Sequence, residues 1–194
     1  MPVREERRST AGGRLDAEQV LSWEGRWPDL PPVALLDLME RLHWRSLARY
    51  GLGLVRVRRR EGAVSRPEGA VSRPEGAVSR PEGIVSCDVL GRVPALVFER
   101  EADRVEPGRI ERRWRIGGGA LVRLPWADAG TRGTFALGLG GENGRLRAWV
   151  RVEAFPSRFL ARPLVWVAGR AYPAFHARVS FTYLEALRRE IALH

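Results

Sequence analysis

Apolar and polar residues alternate most cleanly over residues 133–155. Phe135, Leu137 and Leu139 alternate with small or polar neighbours, and Leu146, Ala148, Val150 and Val152 alternate with Arg145, Arg147, Arg151 and Glu153. A period of two marks a strand with one buried face, so strands are predicted over 133–140 and 146–155. Gly141-Glu142-Asn143-Gly144 lies between them, and Asn-Gly supplies the positive φ angles of a tight hairpin. The period then changes. Phe175, Val179, Tyr183, Leu187 and Ile191 recur every four residues, a stripe that predicts a helix over 174–192 packed on a sheet.

Upstream, Leu35, Leu38, Met39, Leu42 and Leu47 fall close to helical spacing and predict a helix over 32–49. Asp29-Leu30-Pro31-Pro32 supplies an acidic capping candidate and first-turn prolines, and Gly51 a stop. Strands are predicted over 52–58, 84–90, 93–101, 109–116 and 120–124. Turn residues separate them: Gly91, Pro107-Gly108, Gly117-Gly118-Gly119 and the Asp128–Gly130 loop. Connections this short favour an antiparallel meander, because parallel strands need long crossovers. After Pro156-Ser157 the helical pattern resumes, with breaks expected at Pro163, Gly169 and Pro173. The expected class is α+β: a curved antiparallel sheet wrapped around a long C-terminal helix, with an N-terminal helix before it. Residues 1–18, rich in Arg, Glu and Gly, read as a flexible tail; 19–194 reads as a single domain. Trp23, Trp27 and Pro28 open its ordered part as an aromatic anchor.

Residues 61–83 interrupt the alternation. Glu61-Gly62-Ala63-Val64-Ser65-Arg66-Pro67 recurs unchanged at 68–74 and 75–81, then degenerates at Glu82–Ser86. A proline and a glycine in every unit exclude a coiled coil, and one Val and one Ala per unit are too few for a β-solenoid core. The repeat reads as an exposed loop grafted into a strand connection; the competing reading is an Arg-spaced docking arm for an anionic partner.

Composition narrows the possibilities. At 194 residues and 44% apolar, the chain is long and apolar enough for a real core. The lone cysteine, Cys87, excludes an intrachain disulfide framework and a cysteine-built metal site. It reads as a small buried strand residue rather than a reactive thiol. All 33 basic residues are arginine, Gln19 and Asn143 are the only side-chain amides, and the net charge is +10. That bias fits a GC-rich genome or a hot habitat alike. Because arginine suits phosphates and carboxylates, an anionic partner has to be weighed, but the charge is scattered among 23 acids. No apolar run reaches the ~20 residues of a membrane-spanning helix, and residues 1–14 lack the apolar core of a secretory signal. A cytoplasmic protein is expected.

Candidate chemistry is sparse. The glycine-rich segments 117–119 and 138–144 lead into strands rather than helices and lack a Lys-Ser/Thr, so both read as turns, not nucleotide loops. His43, His176 and His194 lie in separate elements without metal-ligand spacing; neither a metal nor a cofactor is expected. Ser157 and Ser180 lack the surroundings of a nucleophile elbow. His176, beside Phe175, reads as a core or boundary residue and is the one weak candidate for moving protons. Trp114 shares a strand face with Ile110, Arg112 and Ile116, whereas Trp149 falls on an Arg-rich face. On such a face Arg112 needs a buried partner or a bound anion, unless it snorkels to water at a sheet edge. Residues 159–170 are apolar with flanking arginines, either a buried helix start or a segment lying on an anionic membrane. No nucleic-acid recognition signature is present.

From Arg109 to Glu190 the chain resembles the START-like, polyketide-cyclase-like helix-grip superfamily. The resemblance rests on Arg151-Val152-Glu153-Ala154-Phe155, the following Pro156-Ser157-Arg158-Phe159-Leu160, and the tail Phe175–Glu190. Pro163, Gly169 and Pro173 depart from that superfamily's smooth terminal helix. The resemblance implies an apolar ligand cavity between sheet and terminal helix, in a superfamily that includes lipid carriers, hormone receptors and cyclases. The expected function is therefore binding of a small apolar or amphipathic molecule. Trp114, Phe135, Leu137 and Val150 would line the cavity from the sheet, Phe175 and Val179 from the helix, and Arg112 or His176 would orient the ligand. The alternatives are a cyclase or hydratase working through His176, and a peripheral protein of anionic membranes using Arg58–Arg60, the repeat and the Trp166 region.

Overall fold

At the 143–144 turn the backbone does what Asn-Gly allows: Asn143 and Gly144 adopt φ of 51° and 74°, and Glu142 pairs with Arg145 across the turn. The structure is a computed structural model that describes residues 1–9, 15–50, 55–61, 83–89, 93–117, 120–124, 127–156 and 162–194. Side chains are described for 1–9, 16–50, 98–116, 132–154 and 176–194. In chain order the elements are β1 (Val3–Ser9), β2 (Leu15–Glu24), α1 (Pro32–Tyr50), β3 (Val55–Glu61), β4 (Gly83–Val89), β5 (Val93–Arg100), β6 (Arg104–Glu106), β7 (Arg109–Gly117), β8 (Ala120–Leu124), β9 (Ala127–Glu142), β10 (Arg145–Pro156) and α2 (Arg162–Ile191).

The strands form an antiparallel sheet in the order β1-β2-β10-β9-β7-β5-β4-β3, with β6 added to β7 and β8 to β9. It is α+β, with α2 packed against β2, β10 and α1. The antiparallel expectation holds, but the order is not a simple meander, because β10 returns to pair with β2. Within the stretch 1–18 expected as a tail, the described residues Val3–Ser9 pair with β2, and β2 in turn pairs with β10. Backbone hydrogen bonds need no hydrophobic alternation, and all seven residues of β1 are exposed. The Asp128–Gly130 loop is corrected. These residues belong to β9, where Asp128 pairs with Arg123 and Gly130 with Ala120. The repeat over 62–82 lies outside the described residues, as do Gly51 and Trp126.

α1 starts where the prolines place it. The Pro31 carbonyl accepts the Leu35 N–H at 3.0 Å, and Pro32 takes the first helical position, where a missing N–H costs nothing. α2 differs from expectation: it runs unbroken from Arg162 to Ile191 through Pro163, Gly169 and Pro173. Pro163 sits in the first turn, whose N–H groups have no helical partner anyway. An interior proline forfeits one hydrogen bond and kinks a helix rather than ending it when the flanking turns are held.

Register sorts the sheet into transverse rows on the helix-bearing face. Gln19, Val150, Leu137 and Arg112 form one row, and Ala17, Val152, Phe135 and Trp114 the next. Leu21, Ala148, Leu139 and Ile110 form a third, and every one of these residues is buried. On the opposite face Arg145, Arg147 and Arg151 are exposed. Trp149 lies there across the glycines of β9: a Cβ on Gly138 would stand 2.1 Å from its ring. Arg109 stacks on the Trp149 ring at 5.1 Å, and the indole N–H donates to Glu111 at 3.3 Å.

Candidate functional site

α1 and α2 meet over the inner face, and most of the buried polar side chains among the described residues collect there. On α2, His176, Ser180 and Tyr183 follow one another at four- and three-residue steps, which puts them on one helical face, and all three are buried. On α1, His43 and Trp44 point inward. The His43 ring lies 5.3 Å from Tyr183, 4.7 Å from Phe135 and 5.0 Å from Trp44. Trp44 continues the aromatic cluster to Phe98 and Trp114, at 5.3 and 5.8 Å.

These polar groups are poorly served by the protein. Gln19 Oε1, His43 Nδ1, Trp44 Nε1, Ser180 Oγ and Tyr183 Oη are buried without a hydrogen-bond partner among the described residues. Each such group ordinarily costs about 1–3 kcal/mol. Burial, with the nearby His176 as a lesser cause, pushes the His43 imidazole down to about 3. Burial alone lowers His176 to about 4 and raises the Tyr183 hydroxyl. At neutral pH both imidazoles are uncharged and the phenol keeps its proton.

Arg112 is the fourth member of its row and has no exposed surface. Its Nε and Nη2 donate to the two carboxylate oxygens of Asp103, each at 2.9 Å. Its Nη1 donates to Asp37 at 2.9 Å and Glu40 at 2.7 Å, tying the sheet to α1. The expectation that Arg112 snorkels to water is corrected: three carboxylates, not solvent, satisfy it. Burial works against the charged forms, but the Arg112 and Arg100 hydrogen bonds outweigh it and hold Asp103 below the usual carboxylate range. For Arg112 the same contest ends with its pKa raised.

The structure therefore brings together most of the residues singled out from sequence. Trp114, Phe135, Leu137, Val150 and Val179 are buried on the inner face beside His176. The side chain of Phe175 lies outside the described residues, as do those of Arg58–Arg60 and Trp166. These five apolar side chains are 3% exposed or less, so they are shielded from bulk water. On the opposite face lies an open groove of about 1170 Å³, lined by Arg7, Glu18, Arg109, Glu111 and Trp149 among others. No cluster of three or more metal-ligating residues occurs among the described residues, and none of the described helices is long and apolar enough to cross a membrane.

Sequence reasoning missed His43, Trp44, Ser180, Tyr183 and Gln19 as site residues. A signal exists for Gln19: Ala17, Gln19, Leu21 and Trp23 alternate at period two, but a domain boundary expected at residue 19 cuts that alternation. Ser180 was legible only as the four-residue neighbour of His176.

The chain is similar to human STARD10, with a TM-score of 0.39 and 10% identity over 98% of this chain and 78% of that one. It is also similar to CalU16 from Micromonospora echinospora, with a TM-score of 0.28 and 12% identity over 99% of each chain. These are likenesses of fold at low superposition, and no reading of function rests on them. No family model matches the chain, and no curated protein does.

Proposed function

We propose that this protein binds a small apolar or amphipathic molecule between the inner face of its sheet and the C-terminal helix. One observation carries the reading: five polar atoms in that apolar interface, on β2, α1 and α2, are buried with no partner among the described residues. Each buried polar group in a native interior needs a partner, and a bound molecule that hydrogen-bonds these five removes the cost. Around them lies apolar and aromatic surface from Trp114, Phe135, Leu137 and Val150, whose burial of a ligand contributes about 25 cal/mol per Å². Because these side chains are buried, admission requires α2 or the aromatic cluster to shift. Binding is then slow and visible in tryptophan fluorescence.

Native mass spectrometry of the protein purified from its host tests this reading. The expected spectrum carries a non-covalent adduct that organic extraction removes. A bare chain mass, with no thermal shift from a panel of fatty alcohols, fatty acids and aromatic alcohols, overturns it.

A second reading, a cyclase or hydratase using His176, draws on the burial of His176 beside His43. A general base works best with a pKa near the working pH. At about 4, His176 is a weak base for such chemistry, and binding without turnover is the better-supported function.

A further inference from the structure

We infer that the polar end of the bound molecule is uncharged and both donates and accepts hydrogen bonds, as an alcohol does, and that anionic ends such as carboxylate and phosphate are rejected. This rests on the ligand-binding reading above and names the ligand class it leaves open.

The argument is one of charge supply. Among the described residues of the inner face, Arg112 is the buried cation, and its Nε, Nη1 and Nη2 all donate to Asp103, Asp37 and Glu40. A buried anion would have to take one of those bonds from a carboxylate, and it would add negative charge to a cluster in which three carboxylates already face Arg112 and Arg100. The imidazoles supply no positive charge either: burial holds His43 near 3 and His176 near 4, so neither is a cation at neutral pH.

What the interface does offer is neutral and mixed. Trp44 Nε1 can only donate and Gln19 Oε1 can only accept, while Ser180 Oγ and Tyr183 Oη can do either. Ser180 and Tyr183 stand one turn apart on α2, and Tyr183 faces His43 at 5.3 Å. A hydroxyl between them is able to donate to one and accept from another. Burying an unmatched charge costs far more than burying a matched hydroxyl, so discrimination of tenfold or more is expected.

Matched probe pairs test the inference on the full chain at pH 7.5, followed by tryptophan fluorescence and calorimetry. One pair is 1-dodecanol and dodecanoate; the other is 2-naphthalenemethanol and 2-naphthoate. The alcohol is expected to bind at least tenfold more tightly than the acid in at least one pair. Tyr183→Phe and Ser180→Ala should each weaken alcohol binding several-fold while leaving any residual acid binding unchanged. Acids that bind as tightly as their alcohols in both pairs overturn the inference and leave the ligand-binding reading standing. Alcohol affinity unmoved in both variants also overturns it. If neither member of either pair binds, the underlying reading falls and this inference with it. The wild-type comparison needs no variant to fold.

Discussion

An arginine taken wholly out of water costs several kcal/mol unless its N–H groups are matched, and Arg112 is matched by carboxylates from two directions. Removing it takes from Glu40 and Asp103 the guanidinium that both of them bind. Arg112→Met is expected to destabilise the protein by about 3–5 kcal/mol, measured by urea denaturation. Asp37→Ala should cost under about 1 kcal/mol, because the Asp37 side chain is 56% exposed and its ion pair is screened by water. Equal losses for the two variants would show that the cluster does not divide as described. On the outer face Gly138 is needed for space rather than for an unusual backbone angle. Gly138→Ala places a methyl group 2.1 Å from the Trp149 ring and should cost about 1–3 kcal/mol. At Gly140 the same atom meets the ring at 3.4 Å, so Gly140→Ala should be the milder variant in the same denaturation series.

Elements whose side chains carry the information were readable in advance, and elements held by backbone alone were not. The hairpin of β9 and β10 announces itself through alternation and Asn143-Gly144. β1 has no alternation, since it is an edge strand whose partner is β2 and whose side chains stay in water. Its side chains add one link to the body: Arg4 donates to Glu185 at 3.1 Å and lies 5.6 Å from the Phe181 ring centre. Local composition cannot reveal a contact made 181 residues away. The repeat belongs to the same discussion. β3 and β4 pair with Arg60 opposite Ile84, so deleting 61–81 leaves Glu82-Gly83 as a two-residue connection, a length that suits an antiparallel hairpin. The shortened chain should melt within about 4 °C of the full one, equivalent to roughly 1 kcal/mol. A much larger fall in a calorimetric scan would show that the repeat contributes to the fold.

Taken as one cooperative unit, the protein should lose stability as pH falls. His43 and His176 are held near 3 and 4 in the folded chain, against about 6.5 when unfolded. Between those values the unfolded chain binds more protons, so stability rises with pH through that window and is fully present above about 6.5. Melting temperature should therefore drop from pH 7 to pH 4.5, with a stability loss on the order of a few kcal/mol. The variant His43→Phe should flatten that slope; a wild-type melting temperature independent of pH over the range would refute the burial of both imidazoles.

Read alone, the chain specified its periods and its punctuation. It showed which residues of β7, β9 and β10 share a buried face, where α1 begins, and which stripe of α2 packs inward. Those features depend on neighbours within a few residues, so they are written locally. The meeting of His43 with Tyr183, the carboxylates around Arg112, and the place of Gln19 in a row with Val150 and Leu137 arose on folding. Each joins elements far apart in the chain: Asp37 lies 75 residues from Arg112. Which distant groups come together depends on strand order and register, and no local pattern encodes either.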